Sequence, residues 1–168
     1  MRLATLLCLV SVLSWAETAA AEPAIPIAVF DVQLINTSLA PSTPEEIERT
    51  RMLGQQLRDA LSRSGRYRVV DLAPVRAALD RTPELRNCNG CELPLARQVG
   101  ADQAVVAWVQ KVSNLILNIN LEIEDATTGA RIRAGSVDIR GNTDESWTRG
   151  LRFLLEDRIL IDKARGRD

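Results

Sequence analysis

The sequence contains no histidine. That absence excludes Ser-His-Asp and Cys-His activation of a nucleophile, histidine-containing zinc sites and the histidine proton shuttle. The commonest general acid-base side chain is therefore missing. An excess of charge is missing too: 21 basic side chains meet 22 acidic ones, for a formal net charge of −1. Such a balance offers no electrostatic basis for binding nucleic acid or an anionic membrane. No apolar run reaches the roughly 20 residues that cross a bilayer, and there is no internal repeat or long low-complexity tract. Cysteine is scarce, with three in the chain, and the first of them falls in a segment that does not read as fold.

That segment is residues 1–21. Arg2 supplies a positive start, Leu3 to Trp15 is apolar apart from Thr5, Ser11 and Ser14, and Ala19-Ala20-Ala21 gives a small-residue cleavage pattern before Glu22. The competing reading is a buried N-terminal helix. Cys8 stands too early for a lipid-attachment site, and no cysteine lies near Ala21. The sequence thus predicts a signal peptide over 1–21 with cleavage near Ala21, residence in the periplasm without a membrane anchor, and one α/β domain over 22–168. A domain of that size buries most of the surface its unfolded chain exposes.

Within it, Pro26 to Ile35 is almost continuously apolar, as a strand covered on both faces is. Thr43 as cap, Pro44 at the first helical position and Glu45-Glu46 in the first turn open a helix. Its apolar face carries Ile47, Thr50, Leu53, Leu57, Ala60 and Leu61, and Ser64-Gly65 ends it. Arg66 to Asp71 reads as a strand, and Pro74 to Leu79 and Glu92 to Val99 as short helices. Gln103 to Val112 and Leu115 to Asp125 are strands around a Ser113-Asn114 turn. The second alternates Leu115, Leu117, Ile119, Leu121 and Ile123 with Ile116, Asn118, Asn120, Glu122 and Glu124, the pattern of one buried and one wet face. Ala126 to Gly129 turns the chain into Ala130 to Ile139. That turn sets Glu124 opposite Arg131 and Glu122 opposite Arg133, and a slip in the apolar positions predicts a bulge at Ala134-Gly135. A final helix from about Thr143 to Ile161 has Trp147, Leu151, Leu154, Leu155 and the Arg158 stem on one stripe, with Asn142 and Glu145 as a capping box. The order β-α-β-α-α-β-β-β-α predicts an α/β (α+β) fold: a mixed sheet of about five strands with helices packed mainly on one face.

Ile27 to Leu34 (IAVFDVQL), Gln56 to Leu72 (QLRDALSRSGRYRVVDL), Leu95 to Val106 (LARQVGADQAVV) and Leu121 to Arg133 (LEIEDATTGARIR) resemble, in order, the TolB amino-terminal domain and related periplasmic modules. Asn87 to Gly90 (NCNG), Lys111 to Asn120 (KVSNLILNIN) and Arg140 to Gly150 (RGNTDESWTRG) look like a proteobacterial secreted family of unknown function found beside quinoprotein alcohol dehydrogenase systems. The resemblance implies a periplasmic accessory role and brings no catalytic residue with it. The propeller that follows this domain in TolB-like relatives has no counterpart before Asp168, so binding through a propeller does not transfer.

Three places carry candidate chemistry. Cys88 and Cys91, around an Asn89-Gly90 turn, are expected to join as a disulfide in an oxidising compartment. They serve either as a staple or as a thiol-disulfide redox pair, which needs a cysteine at a helix N-terminus after a strand. Haem attachment fails because residue 92 is glutamate. The wet face of the meander offers Trp108, Gln110, Asn118 and Asn120 as a binding surface for a carbohydrate, peptide or protein. With a three-residue connection Trp108 lies opposite Asn118 and Val106 opposite Asn120. Alternatively the last helix covers this face and Trp108 is core. Asn142-Thr143-Asp144-Glu145 clusters oxygens that suit either a hard cation or a helix cap.

The expectation is therefore a non-enzymatic periplasmic accessory protein with a protein partner, no cofactor and no metal. A redox protein using Cys88 and Cys91, and a carrier of a small ligand or metal, are the alternatives.

Overall fold

Thr43 caps the longest helix as its sequence requires. Its side chain accepts from the Glu46 backbone N–H, and the Glu46 carboxylate accepts from the Thr43 N–H at 3.0 Å, a reciprocal capping box. Helix α1 then runs Pro44–Arg63 and stops at Ser64 and Gly65, the latter at φ +68°. Its buried face is Glu46, Thr50, Leu53, Gly54, Leu57 and Leu61. Ile47, expected on that face, is exposed, and Glu46 is buried in its place.

The computed structural model describes residues 22–82 and 84–161. The expected signal peptide lies outside the described residues. The remaining elements are strands β1 Ile25–Val29, β2 Gln33–Asn36, β3 Tyr67–Val69, β4 Gln103–Lys111, β5 Ile116–Asp125 and β6 Arg131–Arg140. Short helices α2 Arg76–Leu79 and α3 Glu92–Gln98 follow 3₁₀ turns at Ala73–Val75 and Leu85–Asn87. Helix α4 Asp144–Leu154 continues as a π turn over Leu155–Ile159. The strands form one mixed sheet ordered β3-β1-β4-β5-β6, with β2 also on β4. β1 pairs parallel to β3 and β4, and the β4-β5-β6 meander is antiparallel.

The sheet has six strands rather than five because the first predicted strand is two. Val29 pairs with Val105 and Gln33 with Trp108, so Phe30, Asp31 and Val32 span what Val106 and Ala107 span on β4. This bulge reverses the side-chain alternation. Ile27 and Val29 face one core before it and Val32 and Leu34 face the same core after it, whereas Ala28 and Phe30 face the other. Exposed Asp31 at the bulge binds Arg58 of α1 at 2.5 Å and Arg76 of α2 at 2.6 Å.

Two further expectations are corrected. The β4-β5 connection is longer than three residues, so Trp108 faces Asn120, Gln110 faces Asn118 and Val106 faces Glu122. The Ser113 hydroxyl accepts from the Leu115 and Ile116 N–H groups and widens the turn. In β6 the bulge comes at Ile132, not at Ala134-Gly135. Glu124 does face Arg131, but Arg133 faces Ile123 and Glu122 faces Ala134.

The long helices α1 and α4 cover one face of the sheet, around Leu53, Leu57, Val109, Ile119, Trp147 and Leu154. The short helices cover part of the other, around Phe30, Leu85, Ala96 and Val106. Where α1, β4 and α4 converge, Lys111 Nζ sits 2.6 Å from Glu46 Oε1, with both side chains almost wholly buried. The Asn142 amide donates to Glu46, and Trp147 Nε1 donates to Asn142 Oδ1 at 3.0 Å. Helix α4 is capped by Thr143 with Ser146, one position on from the expected Asn142 and Glu145, because Asn142 is engaged in this cluster.

Gly150 lets α4 lie close on the sheet. A Cβ there strikes Ile139 Cγ2 and comes within 3.0 Å of Ile119 Cδ1. Glycine to alanine in an exposed helix gains about 1 kcal/mol. Here the methyl strikes a β-branched side chain that is stiff at χ1, so overpacking dominates. Gly150→Ala is expected to lose about 1–2 kcal/mol in urea unfolding, and an unchanged midpoint counts against this close approach.

Candidate functional site

The sheet face away from α1 and α4 is only half covered. Trp108 and Gln110 on β4 and Asn118 and Asn120 on β5 share it, each half-buried, with Ser136 and Asp138 of β6 beyond. The terminal helix packs on the opposite face, so it does not cover Trp108. The amides are cross-linked along the strands: Asn118 Nδ2 donates to Asp138 Oδ1 at 2.6 Å, and the Ser136 hydroxyl donates to Asn118 Oδ1 at 3.0 Å. The four predicted side chains thus form one contiguous strip, in a register shifted from the expected one.

The strip ends against a loop built by the cysteines. After the turn at Leu85–Asn87, Asn89 (φ +56°) and Gly90 (φ +92°) take left-handed conformations. They bring Cys88 and Cys91 to a Cα separation of 5.5 Å, and the sulfurs are joined at 2.03 Å. Closing so short a loop stabilises by about 2 kcal/mol on the chain-entropy model. The loop is tied to the sheet by the Leu85 N–H, which donates to Gln33 Oε1 at 3.1 Å. The Arg86 guanidinium lies 5.8 Å from the Trp108 ring centroid, within cation-π range. Cys88 follows a 3₁₀ turn and α3 begins after Cys91, so the first cysteine is not at a helix N-terminus after a strand, the position an attacking thiol uses.

Between loop and sheet lies a groove of about 470 Å³, with Arg86, Glu92, Trp108, Glu122, Glu124 and Arg131 among its walls. Arg131 binds Glu122 at 3.1 Å, a diagonal partner rather than the Glu124 it faces. Glu92 is only 5% exposed. Beside it Glu124 is held above the usual carboxylate range, first by desolvation, then by the hydrogen bond and repulsion from Glu92, against a smaller pull from Arg131. Repulsion from the neighbouring carboxylate favours the protonated form of Glu124.

The sequence pattern puts Glu122 and Glu124 in cross-strand ion pairs and gives Glu92 and Arg86 no part in a binding site. One signal for Glu92 was present. It stands four residues before Ala96, and both are buried on one face of α3.

The other expected sites resolve as structure. Cys88, Cys91 and Glu92 gather their ligand atoms within 4.8 Å, but joined sulfurs offer no thiolate to a metal. In the 142–145 segment Asn142 is taken by Glu46 and Trp147, Thr143 caps α4, Asp144 binds Arg49 at 2.7 Å and Glu145 binds Arg149. Those oxygens are committed to protein partners, so the cap reading replaces the cation reading. Among the described residues, no helix is long and apolar enough to cross a membrane.

The family model described as "Protein of unknown function (DUF2380)" matches residues 26–159. No curated protein matches the chain. Among solved structures, the LpoB C-terminal domain from Salmonella enterica superposes with a TM-score of 0.51 at 16% identity, over 73% of this chain and 87% of that one. Lipoprotein GNA1162 from Neisseria meningitidis gives 0.50 at 18% identity over 73% and 84%. A singly substituted PelC dodecamer from Paraburkholderia phytofirmans gives 0.50 at 14% identity over 83% and 91%. At these identities the likeness is one of fold.

Proposed function

We propose that this chain, which belongs to the family of unknown function whose model spans residues 26–159, is a non-enzymatic periplasmic interaction domain. It binds a partner protein across the open sheet face that carries Trp108, Gln110, Asn118 and Asn120. The observation that carries this reading is the uncovered half of a sheet whose other face packs against α1 and α4. An aromatic flanked by amides and bordered by a stapled loop fits the make-up of protein interfaces. Export, through the leader over 1–21, and a disulfide between Cys88 and Cys91 agree with each other, and one protein sharing the fold, GNA1162, is a lipoprotein. An accessory role beside a quinoprotein alcohol dehydrogenase is supported by the sequence resemblance alone. The redox alternative asks more of the cysteines than their place before a short helix supplies, and a metal carrier needs free thiolates.

The test is site-specific photocrosslinking in the native host. A photoreactive residue at Gln110 or Asn120 is expected to capture one reproducible protein adduct. The same probe at Arg51, exposed on α1 of the opposite layer, is expected to capture none. Equal capture from both faces, or none from either, overturns the reading.

A further inference from the structure

The groove carries a charge arrangement that the protein itself does not complete. Of its three carboxylates, Glu122 has Arg131 at 3.1 Å. Among the described residues, Glu92 has no such cation. It is 5% exposed and lines the groove, yet its neighbours are the Cys88 sulfur at 3.3 Å, which carries no proton in a disulfide, and the Glu124 carboxyl. A buried carboxylate is ordinarily paired with a cation or satisfied by several donors. The other cation on the wall, Arg86, lies over Trp108.

We infer that the groove receives a lysine side chain from the partner protein, its ammonium seated between Glu92 and Glu124 and its stem along Trp108. This inference rests on the open-face reading and says which group the partner inserts. The chemistry favours a compact ammonium, whose three donors suit two carboxyls and one further acceptor. Trp108 supplies the apolar wall that a four-carbon stem covers well. A hard divalent cation is the poorer fit, since it takes six or more oxygens and the groove has only two carboxylates outside the Arg131–Glu122 ion pair. When the ammonium enters, its charge favours the ionised form of Glu124, and any proton that carboxyl holds leaves to solvent. Affinity therefore falls as pH is lowered through the raised range of Glu124. The groups that set this response are Glu92 on α3, Glu122 and Glu124 on β5, Arg131 on β6 and Arg86 on the cysteine loop.

The probe is a short extended peptide with one central lysine, beside the same peptide with that lysine acetylated. Binding to the full mature protein is read from the Trp108 indole N–H signal in NMR. The lysine peptide is expected to shift that signal saturably at pH 8, about tenfold more weakly at pH 5, and about tenfold more weakly in Glu92→Gln or Glu124→Gln at pH 8. Both glutamines are expected to fold, with Glu124→Gln melting at or above the unsubstituted protein at pH 8. An acidic group raised in the folded state costs stability once pH exceeds its unfolded value, and glutamine removes that cost. Equal binding of the acetylated peptide, undiminished binding in both folded variants, or a response to calcium alone overturns the inference. If crosslinking from Gln110 still captures its partner in Glu92→Gln and Glu124→Gln at full yield, the lysine assignment falls and the open-face reading stands. If no partner is captured from the unsubstituted protein, the open-face reading itself falls.

Discussion

Lys111→Ala is expected to cost about 3–5 kcal/mol of folding stability, the range for removing one partner of a buried ion pair. Lys111 and Glu46 are 1% and 2% exposed at the side chain and 2.6 Å apart. Without the ammonium, Glu46 remains beneath the junction of α1, β4 and α4 with only amide donors around it. Thermal unfolding is expected to shift down by on the order of 10 °C, since about 3 °C accompanies each kcal/mol in a domain of this size. A double variant, Glu46→Gln with Lys111→Met, is expected to recover most of the loss, because no charge is then stranded.

The same pair fixes a pH signature. Burial alone pushes the Glu46 carboxyl up, but the Lys111 ammonium, the Thr43 N–H and the Asn142 amide outweigh it and hold the group below the ordinary value of 4.5. A carboxyl lowered by folding adds stability above its unfolded value and loses it as pH falls through the folded one. In Lys111→Ala the main lowering influence is gone, and acid relieves the stranded charge. The gap between the two proteins is therefore widest near neutral pH and narrows below about pH 4.5. A gap that stays constant from pH 7 to pH 3 sinks the assignment.

Trp147→Ala is the second large effect, at about 3–5 kcal/mol in guanidinium unfolding. Trp147 is wholly buried between α4 and the sheet. Its removal leaves a cavity in the core it shares with Leu117 and Ile119 and deprives Asn142 Oδ1 of the indole donor. Trp147→Phe retains the ring volume in part and is expected to lose about 1–2 kcal/mol, chiefly the hydrogen bond and the remaining void. A loss below about 1 kcal/mol for the alanine variant shows that α4 collapses onto the gap. The phenylalanine variant also leaves Trp108 as the indole reporter of the groove within residues 22–168.

The elements were legible wherever the signal is local. Thr43, Pro44 and Glu46 announce α1, and the period-two pattern of β5 sorts Leu117, Ile119, Leu121 and Ile123 to the core, whereas Leu115, expected with them, lies before β5 and is exposed. The joining of Cys88 and Cys91 followed from spacing and compartment. What escaped depends on contacts far apart in sequence. Periodicity assigns Ile47 to the core because it cannot know that Lys111 will call Glu46 there instead. Continuous apolar character hides the bulge at Phe30 to Val32, since both faces of that strand are covered. The β4-β5 register slipped because the Ser113 hydroxyl lengthens a turn that looks tight in composition. The groove escaped for the same reason: Glu92 and Glu124 meet only when α3 folds over the meander. Trp108 and the amides needed no such contact, because alternation alone puts them on one side.

Glu46 closes the capping box of α1 and also neutralises a strand lysine beside the start of α4. Ordinary helix ends fray, and their amides exchange with solvent through small local openings. The first turn of α1 cannot open that way without baring an ammonium in the interior. The amide hydrogens of Thr43 and Glu46, held in the capping box, are therefore expected to exchange far more slowly than those of an ordinary helix start, so that this helix resists opening at the end where helices usually fray first.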